Sequence, residues 1–93
     1  MNYEPVLPGP LRHKIAGWNL PPTVELTLLE EVRRHILDNL PSPGTGVLRT
    51  FDFSGGTTDN PYDFCVQYTI QVYKDLISLL DINIEYLPPH SSF

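Results

Sequence analysis

The stretch FCVQYTIQVY, residues 64–73, decides the fold. Phe64, Val66, Tyr68, Ile70 and Val72 alternate with Cys65, Gln67, Thr69, Gln71 and Tyr73. A period of two puts the first set on one face of a strand and the second set on the other. Aromatic and β-branched side chains suit a pleated surface, so the apolar set is read as facing a core. Moving outward toward the C-terminus, Lys74 and Asp75 make a tight turn. Leu80, Ile82, Ile84 and Tyr86 then alternate with Asp81, Asn83 and Glu85 as a last strand, which Pro88, Pro89 and His90 stop. In the other direction, Ser54 to Pro61 holds two glycines, two threonines, an aspartate and an asparagine. That is the strongest turn signal in the chain, long enough for a mobile loop at a hairpin end. Before it, Val47, Arg49, Phe51 and Phe53 alternate with Leu48, Thr50 and Asp52, a strand whose buried side the pattern leaves open.

Further upstream the period changes. Val24, Leu28, Val32, Ile36 and Leu40 recur every four residues, with Leu29 and Leu37 beside them. This is the apolar stripe of a helix packed on a sheet. Pro21 and Pro22 suit a first turn, where a missing N–H has no partner to lose, and Thr23 can cap. Asn39, Pro41, Ser42, Pro43 and Gly44 end the helix. Glu30 and Glu31 stand one turn before Arg34 and His35, on a face read as solvated. Leu11, His13 and Ile15 against Arg12, Lys14 and Ala16 fit a short strand that Gly17 closes. Pro5, Pro8 and Pro10 make residues 1–10 an extended arm, 11–87 a single domain and 88–93 a tail. The expected fold is α+β: one long helix on a small, mostly antiparallel sheet of about four strands, in the order strand, helix, strand, strand, strand.

A chain of 93 residues has room for one hydrophobic core. With 41% hydrophobic and 18% charged residues it is a packed globule and not a disordered chain. Eleven acidic residues against six basic ones give a formal charge of −5, which repels a phosphate backbone. Nucleic acid is therefore not expected as a partner except through a ribosome. One cysteine, Cys65, allows no intrachain disulfide and points to a reducing compartment. The segment MNYEPVLPGP lacks the pattern of a signal peptide and no long apolar run is present, so a cytoplasmic protein without membrane contact is expected.

Chemical motifs are sparse. The glycines match neither a phosphate loop nor a dinucleotide fingerprint. His13, His35 and His90 lie on three separate segments with no second ligand at zinc spacing, so no metal and no cofactor are expected. Asp52, Asp59 and Asp63 surround the glycine loop without calcium-loop spacing and are read as turn aspartates. Cys65 has no neighbouring cation to make it a thiolate and is read as a structural strand residue. The serines sit in no strand-to-helix elbow.

The element order, the segment WNLPPTVELTLLEEVRRHI (18–36) with LPSPG (40–44) after it, and the ending YDFCVQYTIQVYKDLISLLDINIEYL (62–87) resemble the RelE/ParE superfamily of toxin–antitoxin toxins. The resemblance implies a toxin-like protein acting by macromolecular contact. It would be a ribosome-associated nuclease of messenger RNA or a relative that has lost cleavage, with an antitoxin-like protein partner. In such nucleases, strand-borne cations stabilise the phosphate transition state and a tyrosine or another group handles protons. On that pattern Arg49 and Tyr86 are the catalytic candidates. From the alternation alone comes a different reading, a non-catalytic protein-interaction module that binds another protein or dimerises. Gln67, Thr69 and Gln71 point away from the core, and neutral amides and hydroxyls lose less on desolvation than charges do. They are the candidate binding surface.

Overall fold

A computed structural model describes residues 5–57, 59 and 61–87. It contains α1 (Gly9–Gly17), α2 (Pro22–Asp38), β1 (Val47–Gly56), β2 (Pro61–Tyr73) and β3 (Leu76–Leu87). The class is α+β, with two helices and one three-stranded antiparallel sheet in the order β1-β2-β3.

The largest departure from expectation is α1. The strand read at Leu11–Gly17 is a helix, so the sheet has three strands and not four. Pro10 stands in the first helical turn, where its missing N–H costs nothing. Leu11 and Ile15, four residues apart, share a helix face and are buried at 6% and 3% exposure, while His13 is exposed. A strand would have buried His13 beside them. The helix also takes Gly9 and Pro10 from the expected arm; Pro5 to Pro8 carry no regular structure. Residues 1–4 of that arm and the tail 88–93 lie outside the described residues.

In α2, Val24, Leu28, Val32 and Ile36 are buried as their spacing requires. Thr23 makes no cap: the N-cap position is Pro21, whose carbonyl accepts from the N–H groups of Val24 and Glu25 at 3.0 Å. On its outer side Arg34 pairs with Glu31 and, at 3.8 Å, with Asp38.

β2 is the central strand. Its residues Phe64, Val66, Tyr68 and Ile70 are at most 1% exposed, and Ile82 and Ile84 of β3 complete the strand side of the core. β1 and β2 continue past the expected loop, pairing Ser54 with Asp63, Gly55 with Tyr62 and Gly56 with Pro61, so only residues 57–60 connect them. β2 and β3 are joined by Lys74 and Asp75, the two residues between the paired Tyr73 and Leu76. Lys74 takes a left-handed φ of 56° there. β3 is longer than its alternation suggested because a bulge interrupts it. Thr69 pairs with Asp81 but Ile70 with Leu79, leaving Leu80 over. The bulge turns Leu80 outward beside Asp81, whereas Leu79 packs against the core.

Candidate functional site

The helices cover one face of the sheet, and the other face carries the residues that alternate out of the core. Gln67 is exposed at the middle of β2, with Thr50 of β1 and Asn83 of β3 as its cross-strand partners. Thr69 is half-buried between Leu48 and Asp81. Gln71 is committed elsewhere: its Nε2 donates to the Gly44 carbonyl at 2.7 Å, and the Gly44 N–H donates to the Val72 carbonyl at 2.9 Å. Gln71 therefore holds the α2–β1 connection against β2. Gly46 in that connection has no room for a side chain without displacing Leu80, whose Cδ1 lies 3.0 Å from where a Cβ would stand.

This face divides in two along the strands. At the end nearer the Lys74–Asp75 turn, Leu48, Tyr73, Leu76 and Leu80 are 58%, 62%, 64% and 55% exposed. Toward the other end, Asp52 sits opposite Cys65, Cys65 opposite Glu85, and Asp63 opposite Ser54. The Ser54 hydroxyl donates to Asp63, and Lys14 of α1 reaches Glu85 at 2.8 Å and Asn83 at 3.4 Å. Burial, and then Asp52 and Glu85, push the Cys65 thiol above its usual range, which disfavours the thiolate.

Arg49 and Tyr86 do not converge. Arg49 pairs with Tyr68 and Tyr86 with Phe64, four positions apart on β2 and on opposite flanking strands. Strand geometry separates their backbones by roughly 16 Å. Tyr86 belongs to an aromatic cluster, with ring centroids 5.7 Å from Trp18, 5.4 Å from Phe64 and 6.2 Å from Tyr62.

Arg49 instead lies in a polar cluster within the helix–sheet layer. His35 of α2 stacks on Phe51 at 4.1 Å, and its Nδ1 shares a hydrogen bond of 2.8 Å with the hydroxyl of Tyr68, which is 1% exposed. Burial first, and then the charges of Arg49 and Arg34, hold the His35 imidazolium below its ordinary range, so the ring is neutral near pH 7. The Arg49 Nε is buried without an acceptor among the described residues. Neither His35 nor Tyr68 stands out in the sequence as a site residue, because each fits its own periodic pattern and only the packing of α2 on β2 joins them.

Between α1 and the outer flank of α2 runs an open groove of about 1320 Å³, lined in part by Leu26, Leu29 and Leu37. Arg12, Arg33 and Arg34 on its walls are matched by Glu25, Glu30 and Asp38, so it has no net charge preference. Among the described residues no group of three or more His, Cys, Asp or Glu side chains could hold a metal ion, and no helix is long and apolar enough to cross a membrane. Comparison with protein-family models, curated proteins and solved structures yields no match.

Proposed function

We propose that this chain is a protein-interaction module whose binding surface is the uncovered sheet face. One observation carries the reading. Of the seven large hydrophobic side chains exposed among the described residues, four (Leu48, Tyr73, Leu76 and Leu80) gather toward the Lys74–Asp75 end of the outer sheet face. Contiguous exposed apolar surface marks interaction sites more often than scattered residues do. Gln67 and Thr69 continue the patch with groups that desolvate cheaply, and Asp52 and Asp81 border it. The fitting partner is a protein that brings apolar side chains to Leu48 and Leu80 and cations to the carboxylates.

Gln67→Arg puts a cation and a long side chain at the middle of the face while touching no core residue. Co-expressed with the products of neighbouring genes, the wild-type chain is expected to retain one of them through an affinity step, and Gln67→Arg to lose it with an unchanged thermal midpoint. Equal retention by both chains would remove the sheet face from the interaction.

A second reading, the toxin-like one, draws support from the Arg49, His35 and Tyr68 cluster. A guanidinium and an imidazole beside a hydroxyl are the group types that bind a phosphate and move its protons. On this reading, expression arrests growth, messenger RNA is cut on translating ribosomes, and a neighbouring small protein relieves the arrest. Arg49→Ala and His35→Gln should each reduce the cutting; unchanged cutting in both would take the cluster out of the mechanism.

A further inference from the structure

β1 and β3 both end the sheet, and an edge strand presents a row of unpaired N–H and C=O groups to any other strand. β3 is guarded. Its bulge at Leu80 breaks the edge, and Lys14 is drawn to Asn83 and Glu85 along it. β1 lacks a bulge, a proline and a lysine: Val47 to Gly56 pair with β2 in unbroken register. Among the described residues, no backbone group pairs with its outer side. The core is also unfinished along this edge. Val47, Arg49, Phe51 and Phe53 turn toward the helix side yet are only half-buried, while Phe64, Val66, Tyr68 and Ile70 facing them on β2 are buried completely.

We propose that β1 pairs antiparallel with β1 of a second copy about a two-fold axis through Phe51, joining two three-stranded sheets into one of six. The occupant follows from the self-complementarity of VLRTFDFSGG. With the axis at Phe51, that ring meets Phe51 of the partner subunit, Arg49 meets Phe53, Thr50 meets Asp52 and Leu48 meets Ser54. These are an aromatic pair, a guanidinium against a ring, and a hydroxyl against a carboxylate, all favourable cross-strand neighbours. Moving the axis by one residue spoils the match. Centred on Thr50 it sets Leu48 against a carboxylate, and centred on Asp52 it sets two carboxylates against each other. α2 lies over β1, where His35 stacks on Phe51 at 4.1 Å, so the joined strands bring the α2 helices of the two copies side by side above the seam. A single strand pair with this fringe is a small interface, so the dimer is expected to be weak and concentration-dependent. This pairing does not depend on what covers the sheet face, because it is read on the purified chain alone.

The test uses one exposed position with opposite charges. Thr50→Lys places an ammonium against Asp52 of the partner subunit twice per dimer, and Thr50→Glu places a carboxylate there twice. In sedimentation equilibrium the wild type is expected to be a concentration-dependent monomer and dimer. Thr50→Lys should lower the dissociation constant, and Thr50→Glu raise it, by roughly fivefold each. A second measurement fixes the register: in a Cys65→Ser background, an oxidised mixture of Thr50→Cys and Asp52→Cys chains should form a mixed disulfide in preference to either chain with itself. A monomer at several hundred micromolar, dissociation constants that move in the same direction in both charge variants, or a mixture that links no better than either chain alone would each overturn the proposal.

Discussion

The same three strands build two unlike faces, and alternation alone separates them. On the covered face Phe64, Val66, Tyr68 and Ile70 are buried against Val24, Leu28, Val32 and Ile36. One residue along in each case, Cys65, Gln67, Thr69 and Gln71 meet solvent or a loop. Stability therefore lives on one face, and the freedom to meet a partner on the other. The sharpest way to break that comparison is to mutate neighbours. Phe64→Ala is expected to cost about 3–5 kcal/mol in urea unfolding, through lost transfer energy and a cavity, and Gln67→Ala to stay within about 0.5 kcal/mol. Comparable costs at both positions would mean that the uncovered face is structural after all.

The next largest effect belongs to α1, which reaches the core through Leu11 and Ile15. Ile15→Ala is expected to cost about 2–3 kcal/mol. A cost well below 1 kcal/mol would show that α1 docks without helping to hold the sheet.

The polar cluster comes third. Tyr68→Phe removes the hydroxyl that His35 binds and leaves a partly buried ring nitrogen unpaired, an effect of about 1–2 kcal/mol. The same cluster sets a pH dependence. Because the His35 imidazolium is held below its ordinary pKa of 6.5, the unfolded chain binds more protons than the folded one just below that pH. Stability is therefore full above about pH 6.5 and is lost as pH falls toward the lowered folded value. His35→Gln should flatten that limb of the stability profile; an unchanged slope would assign the dependence to another group.

Gln71 and Gln67 are four positions apart on one face of β2, yet they differ in what they do. Gln71→Ala removes the bond to the Gly44 carbonyl and is expected to cost about 0.5–1.5 kcal/mol, with faster hydrogen exchange at Gly44 as its signature.

What the sequence conceals follows the same physics. FCVQYTIQVY was legible because its period of two runs unbroken over ten residues between turn signals, and the stripe of α2 was legible for the same reason. The segment 11–17 was ambiguous because Leu11, His13 and Ile15 fit a strand while Leu11 and Ile15 alone fit a helix. Pro10, at the boundary, decided for the helix by occupying its first turn. The start of β3 was hidden by the bulge, which sets Leu80 and Asp81 on the same side and breaks the alternation there. The uncovered face was foreseeable from parity, but two features of it were not. Leu48 and Leu80 are brought to either side of Thr69 by register, and Gln71 is taken up by a loop carbonyl 27 residues away in the chain. Register and long-range contact are tertiary facts, and no local period encodes them.

The smallest expected effect concerns Lys14, through which α1 reaches across to strand positions that alternate with the core. Lys14 meets Glu85 at 2.8 Å, and Asn83 also donates to the same carboxylate oxygen at 3.0 Å. The Lys14 side chain first, with help from Asn83, holds the Glu85 carboxyl below its ordinary pKa of 4.5. The pair is exposed, so screening and side-chain entropy leave little for the thermal midpoint at neutral pH. Its signature is the direction of its pH dependence. With the folded pKa depressed, the contribution is present above pH 4.5 and disappears as pH falls through the folded value, where the unfolded chain binds more protons. Lys14→Met keeps the aliphatic stem and removes the charge. It should leave the neutral-pH midpoint nearly unchanged and weaken the pH dependence below 4.5, as high salt should in the wild type. If Lys14→Met lowers the midpoint equally at pH 7 and in acid, the stem and not the charge fastens α1 to β3.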